Sequence, residues 1–186
     1  MIKRIDGLFT PEELSLIKES INNAESKNDE ELGRIKKQLD TLHPKVEKKI
    51  VLLSQKYFGL DLDFANSTYV EYNNKFGQPN LPAHFDHDDK DLVFDYQWEA
   101  NTSWDLGVGT EVYPLVNNSA IVFNANKHIH WRPHKTFKDD QYVRMIFFRL
   151  NNKRNPSDYS HLDYGVGEDI FKEVEEFRNK IGEIND

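Results

Sequence analysis

At Gly59 the hydrophobic rhythm of this 186-residue chain changes. Before it, apolar residues recur at three- and four-residue spacing, the period of a helix face; after it they recur at every second residue, the period of a strand face. A chain that reads helix first and strand afterwards folds as helices packed on a β core. The helical part opens sharply. Thr10 is placed to cap a helix, Pro11 takes its first position and Glu13 closes a capping box. Leu14, Ile17, Ile21 and Ala24 then form one apolar stripe. A second, weaker helix is expected from about Asp29 to Leu39. A third begins at Pro44, shows Val46, Ile50, Leu53 and Tyr57 on one side, and stops at Gly59. Residues 2–6 read as a short edge strand.

Beyond Gly59 the candidate strands are Ser67–Asn73, Leu92–Glu99, Ala120–Phe123 and Tyr142–Leu150, separated by Asn, Gly and Pro clusters. Short strands so spaced suggest a sandwich or barrel. A terminal helix is expected at Asp169–Ile181, with Ile170, Val174, Phe177 and Ile181 in register. The fold class is therefore mainly β with flanking α. The expected organisation is a single domain, 1–186: mainly helical support at 1–59, the β core at 60–152, a tail and helix at 153–186.

The most chemically loaded segment is LPAHFDHDD, residues 81–89. His84 and Asp86 are two apart, so on an extended strand they point to the same side. The chain has no cysteine, which excludes disulfides, thiolate zinc sites and thiol catalysis and leaves His, Asp and Glu as the only metal ligands. An imidazole and a carboxylate from one segment, joined by a distant histidine, make a facial triad with three open positions, the arrangement of non-haem Fe(II) oxygenases. A bare H-x-D is a weak motif in an acidic chain with seven histidines, where a solvated loop near a turn is the commoner explanation.

The segment SAIVFNANKHIHWRPHKTFKDDQYVRMIFFRL, residues 119–150, parses as a buried strand, a histidine-bearing strand, a polar loop and a strand carrying Arg144. Together with H-x-D it resembles the 2-oxoglutarate- and Fe(II)-dependent dioxygenases, especially their prolyl-hydroxylase-like branch. The resemblance extends to STYVEYNNKFGQPNLPAHFD (67–86) and to the opening IDGLFTPEEL, and so covers most of the chain. It implies a double-stranded β-helix, jelly-roll or cupin-like, with N-terminal helices packed on it. It implies Fe(II), 2-oxoglutarate and O2, with ascorbate as reductant, and hydroxylation with release of succinate and CO2. By resemblance His84 and Asp86 are iron ligands. His130 is preferred as the third over His128 and His134, because H-W-R-P follows an apolar strand where the family places its distal histidine. Ile129 and Trp131 then point away from the metal. The far carboxylate of 2-oxoglutarate calls for a guanidinium. Arg144 is the first choice, sharing a face with Tyr142, Ile146 and Phe148; Arg132 is the rival, two residues after His130. Tyr72 is a candidate hydrogen-bond partner for the same carboxylate. A carboxylate ligand at position 86 also speaks against a halogenase.

Between the ligands, Tyr96, Trp98, Trp104 and Tyr113 read as core residues before substrate contacts, and Asp88 and Asp89 as solvated charges before contacts to a basic substrate. A net charge of −8 disfavours nucleic acid and anionic membranes as partners. The N-terminus lacks a signal-peptide h-region and no stretch is long enough to span a bilayer, so a soluble cytoplasmic protein acting on a small molecule or a peptide is expected. Two other readings compete: a cupin-like metal enzyme without 2-oxoglutarate, and a non-catalytic β-sandwich that binds carbohydrate or protein.

Overall fold

Two antiparallel sheets face each other in a computed structural model that describes residues 1–75, 77–79, 81–86, 92–151 and 168–182. The larger has seven strands in the order β1 (Lys3–Asp6), β8 (Ser119–Phe123), β5 (Leu92–Ala100), β10 (Val143–Asn151), β4 (Asp63–Tyr72), β3 (Arg34–Gln38) and β2 (Lys27–Asp29). The smaller has β7 (Glu111–Tyr113), β6 (Leu106–Val108) and β9 (His130–Trp131). A bridge between His84 and His130 adds the H-x-D segment beside β9. From β4 on the chain thus passes back and forth between the sheets, as in a jelly roll closed by two layers.

Both faces of the central strands are buried. On β5, Leu92, Phe94 and Tyr96 pack with Ile146 and Phe148 of β10 against two helices, α1 (Pro11–Asn23) and α2 (Pro44–Phe58), through Ile17, Ile21, Val46 and Ile50. The opposite phase, Val93 on β5 and Val143, Met145 and Phe147 on β10, fills the space between the sheets with Tyr72, Trp104, Leu106 and Phe123. A third helix, α3 (Glu168–Gly182), covers the outer side of the small sheet. The order of layers is helices, large sheet, small sheet, helix. Among the described residues no helix is long and apolar enough to cross a membrane.

The helix ends form as their residues dictate. Thr10 and Glu13 exchange side-chain-to-backbone hydrogen bonds at the start of α1. Gly59 closes α2 at φ 67°, in the left-handed region, its N–H donating to Gln55 O. The expected helix over Asp29–Leu39 is instead the β2–β3 hairpin. The backbone groups of β3 pair with the free edge of β4, Arg34 lying opposite Tyr72. Tertiary pairing outweighs a helix tendency already weakened by Gly33. Gly33 sits at φ +59°, and a Cβ there would come within 3.0 Å of Gln78 O, so the hairpin turn rests directly on the chain leading into H-x-D. Residues 1–59 therefore carry two helices and three short strands.

One close packing yields a stability prediction. Gly107 on β6 lies opposite Trp131 on β9, and a Cβ at 107 would stand 2.2 Å from the indole ring. That ring cannot retreat easily, because its Nε1–H donates to Gly109 O and its outer side packs with α3. Gly107→Ala is expected to cost about 1–3 kcal/mol, the usual range for overpacking. For a chain of this size that lowers the melting temperature by roughly 2–12 °C. A melt unchanged by the substitution contradicts this packing.

Candidate metal centre

The H-x-D segment is held by backbone pairing from both sides. His84 N–H donates to His130 O and His130 N–H to His84 O, at 3.1 and 2.9 Å. Asp86 N–H donates to Ala125 O at 3.1 Å, and Arg132 N–H to Leu81 O at 3.0 Å. This pairing sets two histidines from distant parts of the chain side by side, with ring centroids 4.2 Å apart. Asp86 completes the group: its Oδ1 is 3.7 Å from His84 Nε2 and 3.6 Å from His130 Nε2, and the three donor atoms all lie within 4.8 Å of one another.

Each imidazole is oriented from behind. His84 Nδ1 lies 2.8 Å from Pro82 O and His130 Nδ1 3.2 Å from His128 O. A carbonyl can only accept, so Nδ1 carries the proton in each ring, and in the neutral form the Nε2 lone pair faces inward. Such outer hydrogen bonds are what fix histidine ligands at metal sites. Burial first, and then the neighbouring His130, lower the His84 pKa to about 4, so this imidazole is neutral at pH 7. For Asp86 burial acts upward, but the hydrogen bond and charge of His130 and the charge of Arg149 outweigh it and take the carboxyl down to about 2. His84 and Asp86 are thus in the state a cation requires: a neutral nitrogen and an ionised oxygen. Ligands about 2.1 Å from one ion in cis positions stand about 3 Å apart, so the two spacings from Asp86 close by a fraction of an ångström around a metal.

A cavity of about 110 Å³ opens in front of this group. Val93, Phe123 and Phe147 give it apolar walls; Arg34 of β3 and Arg149 of β10 supply cations, and Asp95 of β5 an acid. A groove of about 840 Å³ lies elsewhere, between α1 and the outer face of the large sheet. Size does not mark the functional site here. The donors converge on the small cavity.

No protein-family model matches the chain, and no curated protein matches its sequence. Solved structures do match. An oxidoreductase of the 2OG-Fe(II) oxygenase family from Burkholderia pseudomallei superposes with a TM-score of 0.58 at 10% identity, over 81% of this chain and 84% of that one. HygX from Streptomyces hygroscopicus, solved with nickel and 2-oxoglutarate bound, gives 0.61 at 7% identity, covering 82% and 83%. A prolyl-4-hydroxylase from Pseudomonas putida gives 0.57 at 9% identity, covering 81% and 92%. The chain has the double-stranded β-helix fold of the 2-oxoglutarate/Fe(II) oxygenases.

Within this β-helix the other sequence candidates lie apart from the triad. His128 is half-buried beside Met1, Phe58 and Leu60, and only its carbonyl touches His130. His134 is exposed. Arg144 requires a correction. It does share the phase of Ile146 and Phe148, but that phase faces the helices, away from the metal cavity. Its guanidinium is held there by Glu71 at 2.8 Å and Glu99 at 2.7 Å. Arg132 does share the inward side with His130, yet it is committed: Nη2 to Asp95 Oδ1 at 2.9 Å, Nη1 to Trp104 O. The Tyr72 hydroxyl accepts from Arg34 at 3.1 Å. Trp104 and Tyr96 are core residues, as expected. Asp88 and Asp89 lie outside the described residues.

The residues that sequence reasoning missed are Arg34, Asp95 and Arg149. Arg149 alternates in phase with Phe147 and Met145, opposite to Arg144, but both phases are apolar, so the period alone does not single it out. Arg34 was hidden by the assignment of its segment to a helix.

Proposed function

We propose that this protein is an Fe(II)- and 2-oxoglutarate-dependent oxygenase that hydroxylates a small molecule or a peptidyl side chain. The observation that carries the proposal is the convergence of His84, Asp86 and His130 at the mouth of a double-stranded β-helix. Two imidazoles and one carboxylate fit the donor set and charge preferred by Fe(II) and leave open positions for a chelating cosubstrate. Iron bound there would supply the coupled chemistry: decarboxylation of 2-oxoglutarate to succinate and CO2, with O2 consumed and a substrate C–H hydroxylated, ascorbate serving as reductant. The chain's own part is geometric and electrostatic. Asp86 brings the single negative charge among the ligands. Val93, Phe123 and Phe147 give the approach to the metal apolar walls. Arg149 would take the distal carboxylate that Arg144 cannot reach; Arg34, though it lines the same cavity, is already bonded to Asp29 and the Tyr72 hydroxyl. The acidic, cysteine-free composition suits a cytoplasmic enzyme without nucleic-acid or membrane partners.

The test is succinate release from 2-oxoglutarate with Fe(II) and ascorbate. Arg149→Ala is expected to raise KM for 2-oxoglutarate by roughly ten- to a hundredfold, the scale of one charged hydrogen-bonded contact. Arg144→Ala, on the other side of the sheet, should leave that KM near wild type. The reverse pattern refutes this assignment. Metal binding without any succinate favours the cupin-like alternative, and no metal binding at all favours the binding module.

A further inference from the structure

Helix α3 lies over the backs of both segments that supply the metal ligands. Its Val174, Phe177 and Ile181 pack with Ala83 and Phe85, which flank His84, and with Ile129 and Trp131, which flank His130. The contact is polar as well as apolar. Arg178 Nε and Nη2 both donate to Ala83 O, at 3.1 and 2.9 Å.

That carbonyl completes the hydrogen bonding around the first ligand. Pro82 O accepts from the His84 ring, and His84 N–H and C=O pair with His130. Ala83 itself is buried, only 1% exposed, and faces α3, so its carbonyl finds its partner in the helix. A peptide fixed at 83 by a two-pronged guanidinium cannot rotate without breaking charge-assisted bonds. The Cα–Cβ bond of His84 springs from the next residue, and its direction follows that peptide plane.

We propose that α3 is a clasp on the metal centre, and that Arg178 is a positioning residue that aims His84 at the ion. The proposal rests on reading His84, Asp86 and His130 as metal ligands. Arg178 contacts neither the cavity nor the donors; it acts through Ala83.

Co(II) is the probe, read by its visible absorption in the full-length protein. Arg178→Ala is expected to weaken Co(II) binding about tenfold, the lower end of the effect of losing an outer partner of a metal ligand. Arg178→Lys keeps one donor and should fall between. Reciprocity supplies a second measurement that needs no variant: if the helix favours metal binding, metal binding must favour the docked helix by the same factor. Amide hydrogen exchange across α3 of the wild type should therefore slow about tenfold on Co(II) loading. A wild type that binds Co(II) with α3 exchange unaltered overturns the clasp and leaves the metal reading standing. An Arg178→Ala protein that binds Co(II) within twofold of wild type overturns the role of Arg178. A wild type that takes up no Co(II) overturns the metal reading, and the clasp with it.

Discussion

Asp86→Ala should leave a folded protein that no longer holds iron. Asp86 is tied into the fold by its backbone N–H to Ala125 O, a bond alanine keeps, while its carboxylate faces the cavity. Without that carboxylate, two imidazoles remain next to Arg149 with no negative charge to balance a divalent ion. The ligand contributes a direct bond, so its loss should exceed the roughly 10–100-fold penalty typical of losing an outer partner. Succinate release should fall to background, with the far-UV spectrum unchanged and the metal-free melting temperature within a few degrees of wild type. His84→Ala should behave the same way, because only its backbone pairs with His130. Either variant turning over at the wild-type rate would mean that the metal, if used, is held elsewhere. A protein unfolded by Asp86→Ala would show instead that the carboxylate serves the fold.

The ease of locating the candidate triad contrasts with the difficulty of locating the arginines that line its cavity, and strand geometry explains why. His84 and Asp86 are adjacent in sequence and set by a period of two, so nothing distant had to be known to put them on one side. The choice of His130 came from the resemblance, because a period of two puts His128 and His130 on the same side alike. On β10 the period alone does not decide, because both faces are buried: Ile146 and Phe148 pack under the helices, Met145 and Phe147 between the sheets. Arg144 and Arg149 stand on opposite faces of equally apolar alternations, and only the position of the second sheet reveals which face looks at the metal. The same limit explains β5, where Asp95 faces inward and Tyr96 toward the helices. The helix starts were legible because caps are local chemistry. The β2–β3 hairpin was not. Its reason for being extended lies in the edge of β4, thirty-odd residues further on.

The largest effect on stability is expected at the floor of the cavity. Arg132 is wholly buried, its guanidinium bonded to Asp95 and to Trp104 O and stacked over the Trp104 ring at 5.1 Å. Asp95→Ala strips its paired carboxylate from a cation that cannot shed its proton. Breaking a buried pair from one side costs about 3–5 kcal/mol. In a chain of this length that corresponds to a fall of roughly 6–20 °C in melting temperature. Arg132→Met should cost less, because the partner left behind can neutralise itself. Burial already raises the Asp95 pKa above that of a free carboxyl, against the opposing charge of Arg132, and removing the arginine raises it further. A carboxyl whose folded pKa is raised destabilises the fold once it is ionised, above that pKa, and the penalty fades as pH falls through it. Relative to wild type, Arg132→Met should therefore recover stability on acidification from pH 7, whereas Asp95→Ala should not. Replacing both, as Asp95→Leu with Arg132→Met, removes both buried charges and should restore most of the loss, since apolar pairs of similar volume substitute well for buried ion pairs. Denaturant unfolding at two pH values separates the three variants. Equal losses in both single variants, independent of pH, would show that side-chain volume rather than charge governs this floor.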